Sequence, residues 1–272
     1  MDRGSFFGEG IPGVDPEGLK GKLIVIEGAD GVGRSTQVWL LKQWLETQGH
    51  AVLATRMTRS ALAGKRLREA KKGTTLGGVT MALFYATDFD DRLEHEVIPA
   101  LKAGFIVLTD RYIYTLVARA IVRGIDPDWL REVYGFALRP DEVFYLRAGV
   151  DDLVTRVLQK GGFDYWESGM DLNLGADMYE SFVAYQNRMT AQFDRMVEDY
   201  GFRIVDACRP IEAVFADLRG QISDVLNNGH RASADAVGTL KRSPNGHAVM
   251  DVSRAEVQEA DPGISTQSAR VG

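Results

Sequence analysis

The feature that most constrains the fold is Gly28-Ala29-Asp30-Gly31-Val32-Gly33-Arg34-Ser35-Thr36, closely following the apolar run Leu23-Ile24-Val25-Ile26. A strand, a glycine-rich turn and a helix start in that order match the phosphate-binding P-loop, G-x-x-x-x-G-K-[ST], at every position but one. Arg34 stands where lysine is expected. Glycines let the backbone wrap tightly and aim successive N–H groups at phosphates. The following helix adds the positive end of its dipole. Ser35 supplies a hydroxyl suited to Mg²⁺. Arginine keeps the lysine charge but is planar and forked. The pattern therefore predicts a site for ATP with Mg²⁺, formed by Gly28, Ala29, Asp30, Gly31, Val32, Gly33, Arg34, Ser35 and Thr36.

A P-loop requires a parallel sheet behind it, and the rest of the chain alternates accordingly. Further strands are expected over 51–55, 105–108, 142–146 and 202–206, with 105–108 and 142–146 apolar throughout, as in a sheet covered on both faces. Helices are expected over 35–48, 62–72, 79–86, 92–102, 114–123, 128–137, 151–159, 179–200 and 211–226. This is an α/β, three-layer P-loop fold with a parallel sheet of about five strands and right-handed crossovers. Residues 1–20, rich in Gly and Pro, read as an irregular extension, with Phe6 and Phe7 available to dock. Residues 21–228 read as the domain, and 229–272, polar and without apolar periodicity, as a disordered tail.

Composition excludes several classes. A net charge of −6 argues against a general nucleic-acid binder. No apolar run is long enough to span a bilayer, and Met1–Gly21 lacks the apolar core of a signal peptide. A single cysteine, Cys208, cannot form an intrachain disulfide, which fits a reducing cytoplasm. His95 has no partner at metal spacing.

Asp110-Arg111-Tyr112 follows the strand at 105–108 and so falls at the P-loop edge of the sheet. There a carboxylate can hold Mg²⁺ and an arginine can hold a phosphate. With these residues placed, the chain resembles the thymidylate kinases. The family's opening, I-x-x-E-G-x-D-G-x-G-K-S-T-Q, is matched by Ile24, Glu27, Gly28, Asp30, Gly31, Gly33, Ser35, Thr36 and Gln37. Its D-R-Y is Asp110-Arg111-Tyr112, its L-R-P-D is Leu138-Arg139-Pro140-Asp141, and its closing D-A-x-R-P-I-E-x-V-F begins at Asp206. Val97-Ile98-Pro99-Ala100-Leu101 approaches its I-x-P-A-L. The resemblance covers about residues 22–226 in unbroken order.

What the resemblance implies is transfer of the γ-phosphoryl of ATP to a nucleoside monophosphate, dTMP first. Arg34, Asp30 and Arg111 would be catalytic, with Ser35 and Asp110 at the metal. Asp30, Arg56, Phe84, Asp88, Arg111 and Thr115 would face the acceptor, Phe84 by stacking on the base. A short lid at about 160–175 would carry Lys160, Asp164 and Glu167, with Arg156 just before it. The resemblance also implies a homodimer and no partner beyond small nucleotides.

The departures bear on base recognition and transfer geometry. Besides Arg34, the family's T-R-E-P-G-G-T reads Thr55-Arg56-Met57-Thr58-Arg59-Ser60-Ala61, and a register starting at Thr58-Arg59 is the alternative. Asp88 stands at the thymine-reading arginine, with Arg92 one helical turn on. Leu116 and Arg119 replace polar contacts to the nucleoside, and Tyr165 replaces the arginine of the lid motif D-R-x-E. Two rival readings follow: an ATP-binding regulator with little kinase activity, and a kinase of another small phosphoacceptor. Blander readings compete locally. Asp88, Asp90 and Asp91 read as an exposed helix start, Lys71 and its basic neighbours as a solvated helix face, and Tyr165-Trp166 equally as a base stack or a loop anchor.

Overall fold

In the computed structural model the apolar runs form one parallel sheet of five strands in the order β2-β3-β1-β4-β5. The structure describes residues 5–72 and 76–237. Central β1 (Lys22–Gly28) lies between β3 (Ile106–Asp110) and β4 (Glu142–Arg147), with β2 (Val52–Arg56) and β5 (Arg203–Asp206) at the edges. Alternation along β1 explains the two cores. Leu23 and Val25 face one side and Ile24 and Ile26 the other, all buried.

The first side is covered by α2 (Gly64–Ala70), α3 (Gly78–Arg92), α4 (Ile98–Lys102), α5 (Ile113–Val122), α6 (Pro127–Val133) and most of α8 (Met178–Tyr200). The second is covered by α1 (Arg34–Thr47), α7 (Val150–Gln159) and α9 (Ile211–Val237). Register fixes the site edge: Ile26 of β1 and Arg56 of β2 both lie opposite Asp110 of β3. The carboxyl ends of these three strands therefore meet, where open α/β sheets bind ligands.

Three segments differ from the sequence expectation. Residues 78–102 form one continuous helical rod, with a π-helical turn at Leu93–Val97 between α3 and α4. The aspartates read as an exposed helix start lie inside it, and Asp88 is buried. Helix α6 stops at Val133, because the backbone of Gly8 crosses at Gly135 and donates to its carbonyl. Phe6 and Phe7 dock, in line with the sequence expectation: Phe6 bridges Leu138, and the Phe7 ring packs edge-on against Tyr114 and Tyr200 under the Arg139 guanidinium. Contacts join the chain into one unit as far as His230, and α9 runs past the expected end at Leu226 to Val237. The rest of the expected tail, 238–272, lies outside the described residues.

Candidate active site

The P-loop leaves β1 through Gly28 (φ 145°), turns at Gly31 (φ 83°) and enters α1 through Gly33 (φ 106°). A side chain at Gly28 would press within 2.6 Å of the Leu146 carbonyl oxygen. Ala29 and Val32 turn their side chains into the core, which leaves the loop's backbone as its outer surface. No side chain caps the start of α1, so its first amides are ready to bind an anion.

Arg34 is buried and turned along the loop. Its Nε donates to Asp110 Oδ1 at 2.7 Å, and its Nη1 donates to the carbonyls of Gly28 and Ala29. The other Asp110 oxygen accepts from Ser35 Oγ at 2.6 Å. Burial pulls the Asp110 carboxyl upward, but Arg34, Arg111 and the Ser35 hydroxyl outweigh it and hold it below the usual range. Arg34 is held above its usual value against burial by Asp110 and Asp30.

Arg111 follows directly in a left-handed conformation, φ 73°. Its amide donates to the Ile26 carbonyl and its carbonyl accepts from Thr109 Oγ1. These contacts hold a strained backbone that costs about 1–3 kcal/mol elsewhere in proteins. The turn aims Arg111 Nη2 at Asp30 Oδ1, while Arg119 Nη2 reaches Asp30 Oδ2 at 3.0 Å. Burial alone would raise the Asp30 carboxyl; Arg111, Arg119 and Arg34 together hold it well below the carboxylate range.

These groups line an open cavity of about 160 Å³ with Arg56, Met57, Thr58, Lys71 and Glu167. Its cations (Arg34, Arg56, Lys71, Arg111, Arg119) outnumber its carboxylates (Asp30, Asp110, Glu167) five to three. That excess of positive charge suits an anion. A larger cavity of about 520 Å³ lies on the other side of the loop, lined by Gly31, Gly33, Thr36, Arg156, Lys160 and Arg209 among others. Arg156 spans it, donating to the carbonyls of Val32 and Ala207 at 3.2 and 2.8 Å. The P-loop thus separates two spaces, an anion pocket and a roomier cleft.

Asp30, Arg34, Arg56, Asp110, Arg111 and Glu167 all line the anion pocket. Asp164 instead caps its own turn, accepting from the amides of Trp166 and Glu167. Phe84 is exposed on α3 and does not line the pocket. Thr115 is buried and spent on Glu27. Its hydroxyl and amide, with the Tyr112 amide, all donate to that carboxylate. Burial raises Glu27 despite these donors.

Asp88 is also spent on structure. It accepts from the amides of Thr58 (2.8 Å) and Ser60 (3.1 Å) and lies 3.6 Å from Arg92 Nε. Arg92 turns to Thr55 rather than to the pocket. Among the described residues no three His, Cys, Asp or Glu side chains could cage a metal together.

Two charged pocket residues, Arg119 and Lys71, were not among the expected site residues, although Arg119 was read as replacing a polar contact to the nucleoside. Arg119 lies four residues past Thr115 on α5, so its α-helical spacing carries the signal. Lys71, read as part of a solvated face, is mostly buried, and burial followed by Arg119 lowers its pKa. Glu167 offsets that effect from 3.6 Å. No pattern in the sequence marks Lys71, because its partner Glu167 is far away in the chain.

The geometry agrees with comparison to known proteins. The family model described as thymidylate kinase matches residues 26–218. A probable thymidylate kinase 2 from Saccharolobus solfataricus is 36% identical over 212 residues, 77% of this chain and 99% of its own. A probable thymidylate kinase from Pyrococcus horikoshii is 30% identical over 207 residues, 74% and 95% of the two chains. A thymidylate kinase from Caldicellulosiruptor saccharolyticus is 28% identical over 214 residues, 76% and 98%.

Proposed function

We propose, from the premise that this chain belongs to the thymidylate kinase family, that it moves the γ-phosphoryl of ATP onto a nucleoside monophosphate, with dTMP the leading acceptor. Family membership makes it a nucleotide kinase. The observation that carries the finer reading is the cation-rich pocket sharing Asp30 and Arg34 with the P-loop.

In this reading the Gly28–Thr36 amides hold the β- and γ-phosphates, and the larger cleft receives the rest of ATP. The acceptor phosphate enters the anion pocket between Arg111, Arg119 and Arg56. The bond from the γ-phosphorus to the β,γ-bridging oxygen breaks. A new bond forms to an acceptor phosphate oxygen, giving ADP and a nucleoside diphosphate. Such a transfer needs positioning and charge neutralisation more than covalent chemistry. Lid residues above the pocket exclude water and so limit hydrolysis.

The donor set at Ser35 and Asp110 fits Mg²⁺, a hard cation commonly held by one or two protein oxygens plus phosphates. When bound, Mg²⁺ would neutralise charge developing on the phosphates. Arg34 keeps the loop carbonyls and Asp110 in place; to reach a γ-phosphate it must release one of them.

A second reading is favoured by one observation. Asp88 and Arg92, at the expected base-reading positions, are engaged with residues 55–60. That arrangement suits an acceptor other than thymidylate. We assign residues 21–228 to the kinase domain, and the reading includes a cytoplasmic homodimer; among the described residues no helix is long and apolar enough to cross a membrane. Sedimentation of the purified chain tests the dimer.

The deciding experiment is ADP formation from Mg-ATP against a panel of monophosphates with a no-acceptor control. Strong stimulation by dTMP supports the leading reading. Stimulation by another monophosphate supports the second. Silence across the panel with ATP still bound overturns both and leaves an ATP-binding regulator.

A further inference from the structure

Arg123, at the end of α5, has a partner for every guanidinium donor. Its Nε and Nη2 meet Asp171 fork to fork at 2.8 and 3.0 Å. Nη2 also donates to the Trp166 carbonyl at 3.1 Å, and Nη1 to Tyr185 Oη at 2.8 Å and the Arg119 carbonyl at 3.3 Å. The guanidinium carbon lies 3.7 Å from the Trp166 ring centroid. A charged fork, a stacked ring and an ion pair thus converge on one side chain.

The segment held in this way is the lid, and between its two anchors, Trp166 and Asp171, lies Glu167. Its carboxylate faces Lys71 at 3.6 Å and Arg119 at 3.9 Å, inside the anion pocket. Arg119 stands one helical turn before Arg123, so one helix end carries both the pocket cation and the clasp. Helix α8 supports the same segment through Gln186 and Ser181, which donate to the carbonyls of Glu167 and Ser168. Upstream, Gly161 and Gly162 (φ 119° and 97°) have open space around them. Their amides donate back to the Leu158 and Val157 carbonyls, so this pair ends α7 and opens the segment.

We propose that Arg123 is a positioning residue. Its pairing with Asp171 latches residues 166–171 to α5 so that Glu167 sets the charge and place of Lys71 and Arg119 for the acceptor phosphate. Arg123 touches no substrate in this role. The kinetic part rests on the phosphoryl-transfer reading above; the latch itself does not.

The test uses the full chain with Asp171→Asn, which weakens the fork, and Arg123→Lys, which keeps the charge but loses fork and stack. Trypsin cleavage after exposed Lys160, followed by the mass of the resulting fragment, reports lid opening without turnover. Both variants are expected to speed that cleavage and to raise the acceptor KM, each on the order of tenfold, with the ATP Kd within about twofold. Unchanged cleavage overturns the latch. Faster cleavage with an unchanged acceptor KM overturns the positioning role. Equal losses in ATP and acceptor binding with a lowered Tm overturn it as well, because they mark general destabilisation. Wild-type activity in Arg123→Lys would show that charge alone suffices and overturn the fork. Should Arg123→Lys fail to fold, Asp171→Asn carries the test alone. A wild type inactive on every monophosphate sinks the functional reading, and the cleavage rate still judges the latch.

Discussion

The Arg34 guanidinium donates to Asp110 at 2.7 Å, so the one residue that departs from the P-loop pattern is tied to the acidic residue that ends β3. A lysine would place a compact ammonium at one point. The fork of arginine spans Asp110 and the two loop carbonyls of Gly28 and Ala29 at once. The substitution thus adds a brace between β1 and β3 at the phosphate site.

Arg34→Ala is expected to lose both the brace and the charge. Leaving Asp110 buried without its main counter-charge costs on the order of 3–5 kcal/mol of stability. ATP affinity should fall by roughly tenfold or more, the worth of one charge-assisted contact. Arg34→Lys should recover most of the ATP affinity and less of the stability. Calorimetric ATP titration and denaturant melts of both variants measure this; unchanged ATP affinity in Arg34→Ala would remove Arg34 from the site.

The carboxyl of Asp110 carries a pH signature. Burial opposes it, yet Arg34, Arg111 and Ser35 keep its folded pKa below its usual value. A lowered carboxyl binds fewer protons folded than unfolded. Its stabilisation is therefore full above about pH 4 and is lost as pH falls through the folded value. Wild type and Asp110→Asn, separated at neutral pH, should converge in unfolding midpoint as the pH drops below about 4. Parallel curves down to acid would contradict the assignment.

Much of this was legible in the sequence, and what was not has a physical reason. Gly28, Gly31 and Gly33 encode their own positive φ, and continuous apolar runs encode strands covered on both faces. Asp88 was misread because its neighbours Asp90 and Asp91 suggest a solvated helix start. Its burial arises only when residues 58–60 cross α3 and present two amides. Lys71 and Arg119 owe their place to Glu167 and Asp30, partners far away in sequence. Phe6 and Phe7 were legible as apolar residues in a polar extension, but their dock between Leu138 and Tyr114 depends on α6 ending early. Local conformation could be read; pairing across the cavity could not.

Asp88 gives a prediction opposite to that of a base-reading residue. Its two oxygens hold the Thr58–Ser60 turn, where Thr58 has φ 58° and its carbonyl also accepts from Arg68. Asp88→Ala should cost on the order of 2–4 kcal/mol, since two amides and Arg92 lose their partner. Asp88→Asn keeps one acceptor and should cost less. In both, the acceptor KM should rise for every monophosphate alike, because the turn lines the pocket. A change in base preference with unchanged stability would instead place Asp88 against the base.

Arg119 gives the sharpest test of the anion pocket. It is buried, shares Asp30 with Arg111 and approaches Glu167 at 3.9 Å. Removing it leaves Asp30 with Arg111 and Arg34, so the fold keeps two counter-charges there. The acceptor phosphate loses one of its cations. Arg119→Ala should then raise the acceptor KM by roughly ten- to a hundredfold, the range for one charged hydrogen bond, with ATP affinity within about twofold. Arg119→Lys should recover part of the loss, since a point charge replaces a fork. Added salt should weaken acceptor binding less in Arg119→Ala than in wild type, because fewer cations meet the phosphate. Equal loss of ATP and acceptor binding would mean that Arg119 supports the P-loop through Asp30 and does not face the acceptor.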